Sequence, residues 1–313
     1  MMRIIEPLIK MNSSIEHNNG YLPIKIFKND AFSIPINYSL KIGSAQVKSA
    51  ILLAALNING TTKIKEKFPS RDHTEILLEF LGAKIKKKKN IISLESPNFL
   101  KPKDISIPGD FSSASFIIVA ALITKQSRVT LVNVGLNHFR IGLIEILKRM
   151  NANIKIKNKK KINVELTGDI TVESSDLVST SVTSKIVPRL IDELPILFVA
   201  ASYAKGVSIF KGIEELKFKE SDRLTTMAES LENAGVDISI KNNSLIIKGE
   251  KKQQGGNFVI TKHDHRIAMS MLIFGLASEQ GIKIDESKMI KTSFPEFKNI
   301  LNSINAKVEH VQK

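Results

Sequence analysis

Five short polar segments of this sequence supply side chains that bind anions or transfer protons. They are SAQVKSA at 44–50, SRDHTE at 70–75, DELP at 192–195, KESDRL at 219–224 and DHRIAMS at 264–270. Only eight of the 46 basic residues are arginine, and Arg71, Arg223 and Arg266 lie in these segments. In a lysine-rich chain, an arginine in a polar segment indicates a site that needs a planar, bidentate donor.

Two carboxylates in these segments have the chemistry of a general base and a general acid. Glu220 follows Lys219 directly, and Asp192 begins the segment DELP. A carboxylate beside cations can take or give a proton during a reaction. The segments also begin predicted helices, where free N–H groups and the positive end of the dipole favour anions. Together with Gln46, they predict an enzyme that acts on small substrates carrying phosphate and carboxylate groups.

The composition argues against several other classes of protein. The chain has no cysteine, which removes thiol catalysis and thiolate metal sites and is typical of a reducing cytoplasm. Its longest apolar run, ASFIIVAALI, is shorter than the roughly 18 residues of a membrane span. The net charge of +15 comes with no tryptophan and 6% aromatic residues, so stacking on nucleic-acid bases is not predicted. His263, Asp264 and His265 have no distant partner in the sequence, so we expect no metal site.

A helix of small apolar residues recurs four times, which indicates an internal repeat. The four helices are SAQVKSAILLAAL from Ser44, SSASFIIVAALI from Ser112, DELPILFVAASYA from Asp192 and DHRIAMSMLIFGLA from Asp264. Helices that are apolar on all sides are buried helices. Each begins with Ser or Asp, whose side-chain oxygen can accept from the free N–H groups of a first turn.

Each buried helix precedes a short β-rich run and then an amphipathic helix that ends in Gly or Asn. These end residues are Gly82, Asn151, Gly235 and Asn305. Gly and Asn tolerate the left-handed conformation that closes a helix. In three of the four copies, two alternating strands with a hairpin follow. The repeated unit is therefore helix, strand, helix, strand, strand.

The opening residues match the second half of this unit. The matching residues are Leu8, Met11, Asn12 and Ile15, which have the spacing of Leu147, Met150, Asn151 and Ile154. The pattern predicts that the chain starts within an amphipathic helix, whose first turn is near residue 5 because Pro7 is tolerated there. The pair Pro108-Gly109 indicates a domain boundary. We expect an incomplete first domain at 1–107 and a second domain of three units at 108–313.

The polar segments, with PGDFSSASF at 108–116 and TSFPEF at 292–297, closely resemble the EPSP synthase family. The resemblance runs in order along essentially the whole chain. It implies an α/β chain of α+β type with the two-domain enolpyruvyl transferase fold of repeated βαβαββ units, whose N-terminal domain is incomplete here. It also implies a transferase of the shikimate pathway to chorismate and the aromatic amino acids. That enzyme joins the 5-hydroxyl of shikimate 3-phosphate to C2 of phosphoenolpyruvate and releases phosphate.

The resemblance implies a role for each matching residue. Shikimate 3-phosphate is expected to contact Ser44, Ala45, Gln46, Arg71, Asp192 and Lys219. Phosphoenolpyruvate is expected to contact Gln46, Arg223 and Arg266. Asp192 is expected to be the base on the 5-hydroxyl, and Glu220 to help protonate the methylene carbon. The resemblance implies no cofactor and no metal, and we expect a cytoplasmic monomer whose partners are the two small substrates, with no nucleic acid or membrane.

Some departures from the family pattern lead to two alternatives. The family's Lys-Ser pair and Asn-Ala-Gly-Thr loop have no counterpart after Met1, and Thr292 stands where many members have lysine. We therefore expect little or no turnover from this chain alone. One alternative is a truncated, inactive or partner-dependent chain that only binds substrate. The other is an enzyme like UDP-N-acetylglucosamine enolpyruvyl transferase, although SAQVK and RDHTE favour EPSP synthase.

Overall fold

The computed structural model describes residues 1–28, 32–97, 99–242 and 244–311, and the chain divides into two compact units. The first unit comprises Met1–Ile107 with Lys161–Glu165. The second comprises Pro108–Lys160 with Leu166–Lys313. The stretch Lys161–Glu165, which the sequence assigns to the second domain, is thus grouped with the first unit.

The first unit contains three helices and six strands among its described residues. The helices are α1 (Met2–Lys10), α2 (Ala45–Ala55) and α3 (His73–Phe80). The strands are β1 (Ser14–Asn18), β2 (Tyr21–Phe27), β3 (Asn37–Leu40), β4 (Gly60–Glu66), β5 (Lys84–Lys88) and β6 (Ile91–Ser96). The first two strands form a hairpin, and the other four form one sheet in the order β3-β4-β6-β5.

The second unit continues the same alternation of helices and strands. Its helices are α4 (Phe111–Ile123), α5 (Gly142–Arg149), α6 (Leu194–Ser202), α7 (Arg223–Asn233), α8 (His265–Ala277) and α9 (Phe297–Ser303). Its strands are β7 (Arg128–Gly135), β8 (Asn153–Ile162), β9 (Glu165–Glu173), β10 (Ser181–Val182), β11 (Gly206–Lys211), β12 (Asp237–Lys241), β13 (Ser244–Gly249), β14 (Phe258–Val259) and β15 (Lys283–Ile284). Short 3₁₀ turns cover Val187–Arg189, Ile191–Glu193, Glu214–Phe218 and Lys288–Thr292.

The sheets repeat the predicted unit. In the first unit β3 runs parallel to β4, with α2 between them in the chain, and β4 pairs antiparallel with β6 of the β5–β6 hairpin. In the second unit β10, β11, β13 and β12 follow the same order and the same directions. A parallel pair needs a crossover helix, and a hairpin needs only a turn. The predicted fold class, built from βαβαββ units, is confirmed.

The small-residue helices of the second unit form its core. Every residue of α6 is buried, and α4, α6 and α8 pack against one another. The small-residue helix of the first unit, α2, differs from these three, because its Leu53 is 55% exposed. That helix is therefore buried on one side only. In the described part of the chain, no helix is both long enough and apolar enough to cross a bilayer.

Two of the four predicted helix starts are wrong by one or two residues. Ser44 and Asp264 cap α2 and α8, as predicted, through bonds from the N–H groups of Val47 and Arg266. At α4 the cap is Asp110, which accepts from the N–H of Ser113, so Ser112 lies inside the helix.

Asp192 does not cap α6 with its side chain. The helix begins at Leu194 after the turn Ile191–Glu193, and its N-cap Glu193 makes no side-chain capping bond. Pro195 lies in the first turn of the helix and has no N–H group to be capped. The carboxylate of Asp192 instead accepts a hydrogen bond from Lys219.

The predicted helix ends are confirmed. Gly82, Asn151, Gly235 and Asn305 all have positive φ, between 64° and 99°. Asn12 has φ of 69° after α1, so the opening segment closes its helix in the same way. The start of that helix differs from prediction, since α1 begins at Met2 and Pro7 lies inside it.

Candidate active site

Asp192 is surrounded by cations from three segments of the second unit. Its Oδ1 lies 3.1 Å from Lys219 Nζ and 3.9 Å from Arg223 Nη1, and its Oδ2 lies 3.6 Å from Arg140 Nη1. The 3₁₀ turn before α6 presents Asp192, and Lys219 directly follows the 3₁₀ turn Glu214–Phe218. The structure thus brings together Asp192 and Lys219, which are 27 positions apart in the chain.

Arg223 and Asp264 form a fully buried ion pair between the starts of α7 and α8. Arg223 Nε donates to Asp264 Oδ2 at 2.8 Å, and Ser221 Oγ donates to the same oxygen at 3.0 Å. Burial by itself raises the pKa of Asp264, but the bond and charge of Arg223, with the bonds from Arg266 N–H and Ser221, together lower it below its usual value. Asp264 therefore stays ionised beside Arg223.

Glu220 lies beside the same arginine. Its side chain is 58% exposed, and its Oε2 lies 2.5 Å from Arg223 Nη2. That contact is an ion pair without an aligned hydrogen bond, and Nη2 has no hydrogen-bond partner among the described residues. Glu220 is therefore an exposed carboxyl group that is paired with a buried arginine.

Arg266 is oriented by two hydrogen bonds at its guanidinium end. Nη1 donates to the backbone oxygen of Asp192 at 2.7 Å, and Nη2 donates to Ser112 Oγ at 3.1 Å. Its backbone N–H donates to Asp264 Oδ1, because Arg266 lies in the first turn of α8. The side chain therefore joins the starts of α4, α6 and α8.

Arg140, Glu193 and Ser112 also belong to this site, although their sequence pattern did not predict it. Arg140 Nη2 donates to Ser112 Oγ at 2.5 Å, and Ser112 Oγ in turn donates to Glu193 Oε1. Glu193 is fully buried, and its Oε2 has no hydrogen bond among the described residues. The rarity of arginine in the chain was the signal that could have identified Arg140. For Glu193 the signal was its position as the second acid of the segment DELP.

His265 is a further side chain at the start of α8. Burial lowers the pKa of His265, and the positive charge of the adjacent Arg266 lowers it further. At pH 7 a larger fraction of this imidazole is therefore neutral than in an exposed histidine, and the neutral ring can take part in hydrogen bonds. The neighbouring His263 lies 3.1 Å from Glu286 instead. In the described ranges, no three metal-ligating side chains form a cluster.

The remaining predicted site residues lie in the first unit. Ser44 is the N-cap of α2, and Ala45 and Gln46 form its first turn. Arg71 follows the buried Ser70 and precedes the N-cap of α3, Asp72. The N–H groups of two helix starts are thus available near these four residues, which suits a phosphate group.

The second-unit site, called here the ion cluster, consists of cations and carboxylates in direct contact. The cations are Arg140, Lys219, Arg223 and Arg266, and the carboxylates are Asp192, Glu193, Glu220 and Asp264. The carboxylates fix the cations in position without using all their donors, since each guanidinium has five N–H groups. Such an arrangement can bind a small anion and move a proton beside it.

The chain is similar to known proteins along nearly its whole length. A family model described as EPSP synthase (3-phosphoshikimate 1-carboxyvinyltransferase) matches residues 1–301. The 3-phosphoshikimate 1-carboxyvinyltransferase of Bartonella henselae is 45% identical over 316 residues, which cover 98% of this chain and 71% of that protein. The protein of the same name from Petrotoga mobilis is 42% identical, with 98% and 71% covered.

Solved structures extend the likeness to the fold. The EPSP synthase of Acinetobacter baumannii has a TM-score of 0.89 and 38% identity, and the match covers all of this chain and 72% of that one. The enolpyruvyl transferase NikO of Streptomyces tendae has a TM-score of 0.79 at 16% identity, with 99% and 72% covered. At that identity the second likeness concerns the fold alone.

The buried pair predicts a large cost for replacing Asp264. We expect Asp264→Asn to lower the free energy of unfolding of the second unit by about 3–5 kcal/mol, because Arg223 then keeps a buried charge without the buried carboxylate that accepts its Nε hydrogen bond. Asp237→Asn is the matched control, since Asp237 is 73% exposed and lies 3.9 Å from Lys248. We expect that control to change stability by less than about 1 kcal/mol. Denaturant unfolding followed by circular dichroism measures both variants.

The pH dependence of this cost follows from the lowered pKa of Asp264. A carboxyl group with a lowered pKa in the folded state stabilises the protein fully above its unfolded pKa of about 4. That contribution to stability is lost as the pH falls through the pKa of Asp264 in the folded state. The stability difference between the parent chain and Asp264→Asn should therefore shrink in acid, and an equal difference at pH 7 and pH 3 would contradict this assignment.

Proposed function

The chain belongs to the EPSP synthase family of transferases, and from this premise we propose which of its residues carry out the transfer. The reaction moves the enolpyruvyl group of phosphoenolpyruvate to the 5-hydroxyl of shikimate 3-phosphate, and the products are 5-enolpyruvylshikimate 3-phosphate and phosphate. The observation that carries the residue assignment is the position of Asp192 within hydrogen-bond or ion-pair distance of Lys219, Arg140 and Arg223.

Phosphoenolpyruvate is bound by Arg223 and Arg266. Both guanidinium groups are held by carboxylates or backbone oxygen on one side. Arginine binds carboxylate and phosphate with two parallel, charge-assisted hydrogen bonds. Because the side chains are already oriented, little conformational entropy is lost when the anion binds. Gln46 is a further proposed contact, as the family resemblance implies.

Six residues are the proposed contacts of shikimate 3-phosphate. Ser44, Ala45, Gln46 and Arg71 are assigned to its phosphate and ring, with the backbone N–H of Ala45 as one donor. Lys219 and Asp192 are assigned to its ring hydroxyls, since their side chains already share a hydrogen bond of 3.1 Å. A hydroxyl group that enters this pair can donate to the carboxylate while it accepts from the ammonium.

The transfer then proceeds by addition and elimination. Asp192 takes the proton of the 5-hydroxyl while the oxygen of that hydroxyl forms a bond to C2 of phosphoenolpyruvate. Glu220 supplies a proton to the C3 methylene. In the elimination, a proton leaves C3 and the bond between C2 and the phosphate oxygen breaks, which restores the double bond and releases phosphate. Arg223 and Arg266 stabilise the charge that develops on the departing phosphate.

The relatives favour this acceptor over the alternative of a UDP-sugar. The two relatives described above are named for 3-phosphoshikimate, and the resemblance in SAQVK and RDHTE points the same way. A chain that only binds shikimate 3-phosphate is the other alternative. Turnover, and not affinity for shikimate 3-phosphate, distinguishes such a chain from an active enzyme.

Replacement of Asp192 tests the assigned base. In a preparation of the protein that turns over, we expect Asp192→Asn to lower kcat at least about a hundredfold, which is the usual contribution of a general base. The Kd for shikimate 3-phosphate should rise much less, by roughly tenfold, because the amide keeps one hydrogen-bond acceptor. Phosphate release measures turnover, and isothermal titration calorimetry measures binding. An unchanged kcat would remove Asp192 from the role of base, and a parent chain that binds neither substrate would contradict the proposal as a whole.

Replacement of Arg266 tests the phosphoenolpyruvate site. We expect Arg266→Gln to weaken phosphoenolpyruvate binding by about 2–3 kcal/mol, roughly a hundredfold in Kd, since it removes a charge-assisted hydrogen bond. Arg128→Gln is the matched control, because the Arg128 side chain is 73% exposed on β7. Calorimetric titration of both variants with phosphoenolpyruvate gives the comparison, and equal Kd values would exclude Arg266 as a ligand of that anion.

We propose that the protein works as a monomer in the cytoplasm. The absence of cysteine supports a reducing compartment. A monomer of 34.8 kDa is the expected result of light scattering on the purified chain. A mass of twice that value would contradict the monomer.

A further inference from the structure

A second group of buried charges lies in the first unit, outside the ion cluster. The side chain of Lys48 on α2 is fully buried, and its Nζ lies 3.1 Å from Glu66 Oε1 and 2.7 Å from Glu75 Oε1. Glu66 and Glu75 are buried as well. These three residues are called here the Lys48 cluster. Buried ion pairs are often no more stable than apolar residues of the same volume, so stability alone is a weak reason for them.

The Lys48 cluster holds Ser70 by three of its atoms. The N–H and Oγ of Ser70 both donate to Glu66 Oε1, at 3.1 and 2.5 Å. The backbone oxygen of Ser70 accepts from Lys48 Nζ at 3.4 Å. Glu66 ends β4, and its backbone is itself bonded to Asn90. The backbone that leads directly into Arg71 is therefore fixed to the sheet.

The same cluster connects the starts of α2 and α3. Lys48 lies one turn after Ser44, and its N–H donates to the backbone oxygen of Ser44. Glu75 lies in the first turn of α3, and a hydrogen bond of 2.6 Å between Ser49 and Thr74 runs alongside the ion pair. Neither oxygen of Glu75 has an aligned hydrogen bond among the described residues, so its contact with Lys48 is electrostatic. One ammonium group thus relates two helix starts and the turn between them.

We propose that Lys48, Glu66 and Glu75 are positioning residues that hold Arg71 and the Ser44–Gln46 turn as a preformed site for the phosphate of shikimate 3-phosphate. The proposal rests on the function proposed above for Arg71 and Ser44. The three charged groups contact one another and Ser70, and all three side chains are buried. They act through the backbone, and a fixed site binds its anion without first having to be ordered.

The affinity for the phosphate group separates positioning from general stability. Calorimetric titration of the full chain with shikimate 3-phosphate and with shikimate gives two Kd values. The Kd for shikimate divided by the Kd for shikimate 3-phosphate isolates the contribution of the phosphate group. We expect Glu66→Gln and Glu75→Gln each to lower that ratio about tenfold, while the Kd for shikimate changes by less than about twofold. Glu79→Gln is the matched control, because Glu79 is exposed on the same helix as Glu75. Its ratio should equal that of the parent chain.

A double-variant cycle tests whether the effect passes through Arg71. In the background Arg71→Ala, we expect Glu66→Gln to leave the ratio unchanged, since the group that it positions is gone. Additive losses, or an equal loss of affinity for shikimate and shikimate 3-phosphate, would overturn the proposal. If the parent chain binds shikimate 3-phosphate and Glu66→Gln binds it equally well, only the positioning role fails. If the parent chain does not bind it, the proposed function fails too.

Hydrogen exchange gives a second readout that needs no ligand. The amide of Ser70 donates to Glu66 Oε1, so Glu66→Gln should accelerate exchange at Ser70 and Arg71 at least about tenfold. Exchange in the paired strands β4 and β6 should stay within about twofold, which shows that the unit is folded. Unchanged exchange at Ser70 and Arg71 would overturn the proposal.

Discussion

The buried ion pair between Arg223 and Asp264 is the interaction on which the site of the second unit depends. Two charges inside a protein attract each other more strongly than in water, but each has lost its hydration and needs further hydrogen bonds. Asp264 obtains them from Ser221 and from the backbone N–H of Arg266. One carboxylate therefore caps α8, fixes the start of α7 and orients Arg223, one of the two arginines assigned to phosphoenolpyruvate.

The apolar packing of the helices explains why the charges are gathered at one place. The helices α4, α6 and α8 pack against one another, and α6 is buried along its whole length. A charge in the middle of such a helix would lose its hydration without gaining a partner. Charged side chains are therefore confined to the helix starts, where free N–H groups and the helix dipole also favour anions. The packing of the core and the chemistry of the site are consequences of the same arrangement.

The two units hold their site residues by different means. In the second unit, guanidinium groups are held by carboxylates that contact them directly, such as Asp264 on Arg223. In the first unit, the ammonium of Lys48 lies beneath the turn that carries Arg71 and binds the backbone of Ser70. An ammonium group is a compact charge that can contact acceptors from several directions, whereas a guanidinium is a planar fork. The first suits the fixing of a turn, and the second suits the binding of carboxylate and phosphate.

The sequence by itself determined the local elements of this protein. Residue types and their spacing along the chain predict the repeated unit, the family and the positions where helices end in a left-handed residue. Those residues are Gly82, Asn151, Gly235 and Asn305. Only the tertiary structure decided which side chains meet. Ser112 and Arg266, for example, are 154 positions apart and share a hydrogen bond. Asp192, which looked like a helix cap, bonds to Lys219 instead. Backbone preferences act over a few residues, but a buried charge takes whichever partner the packing of distant helices brings within reach.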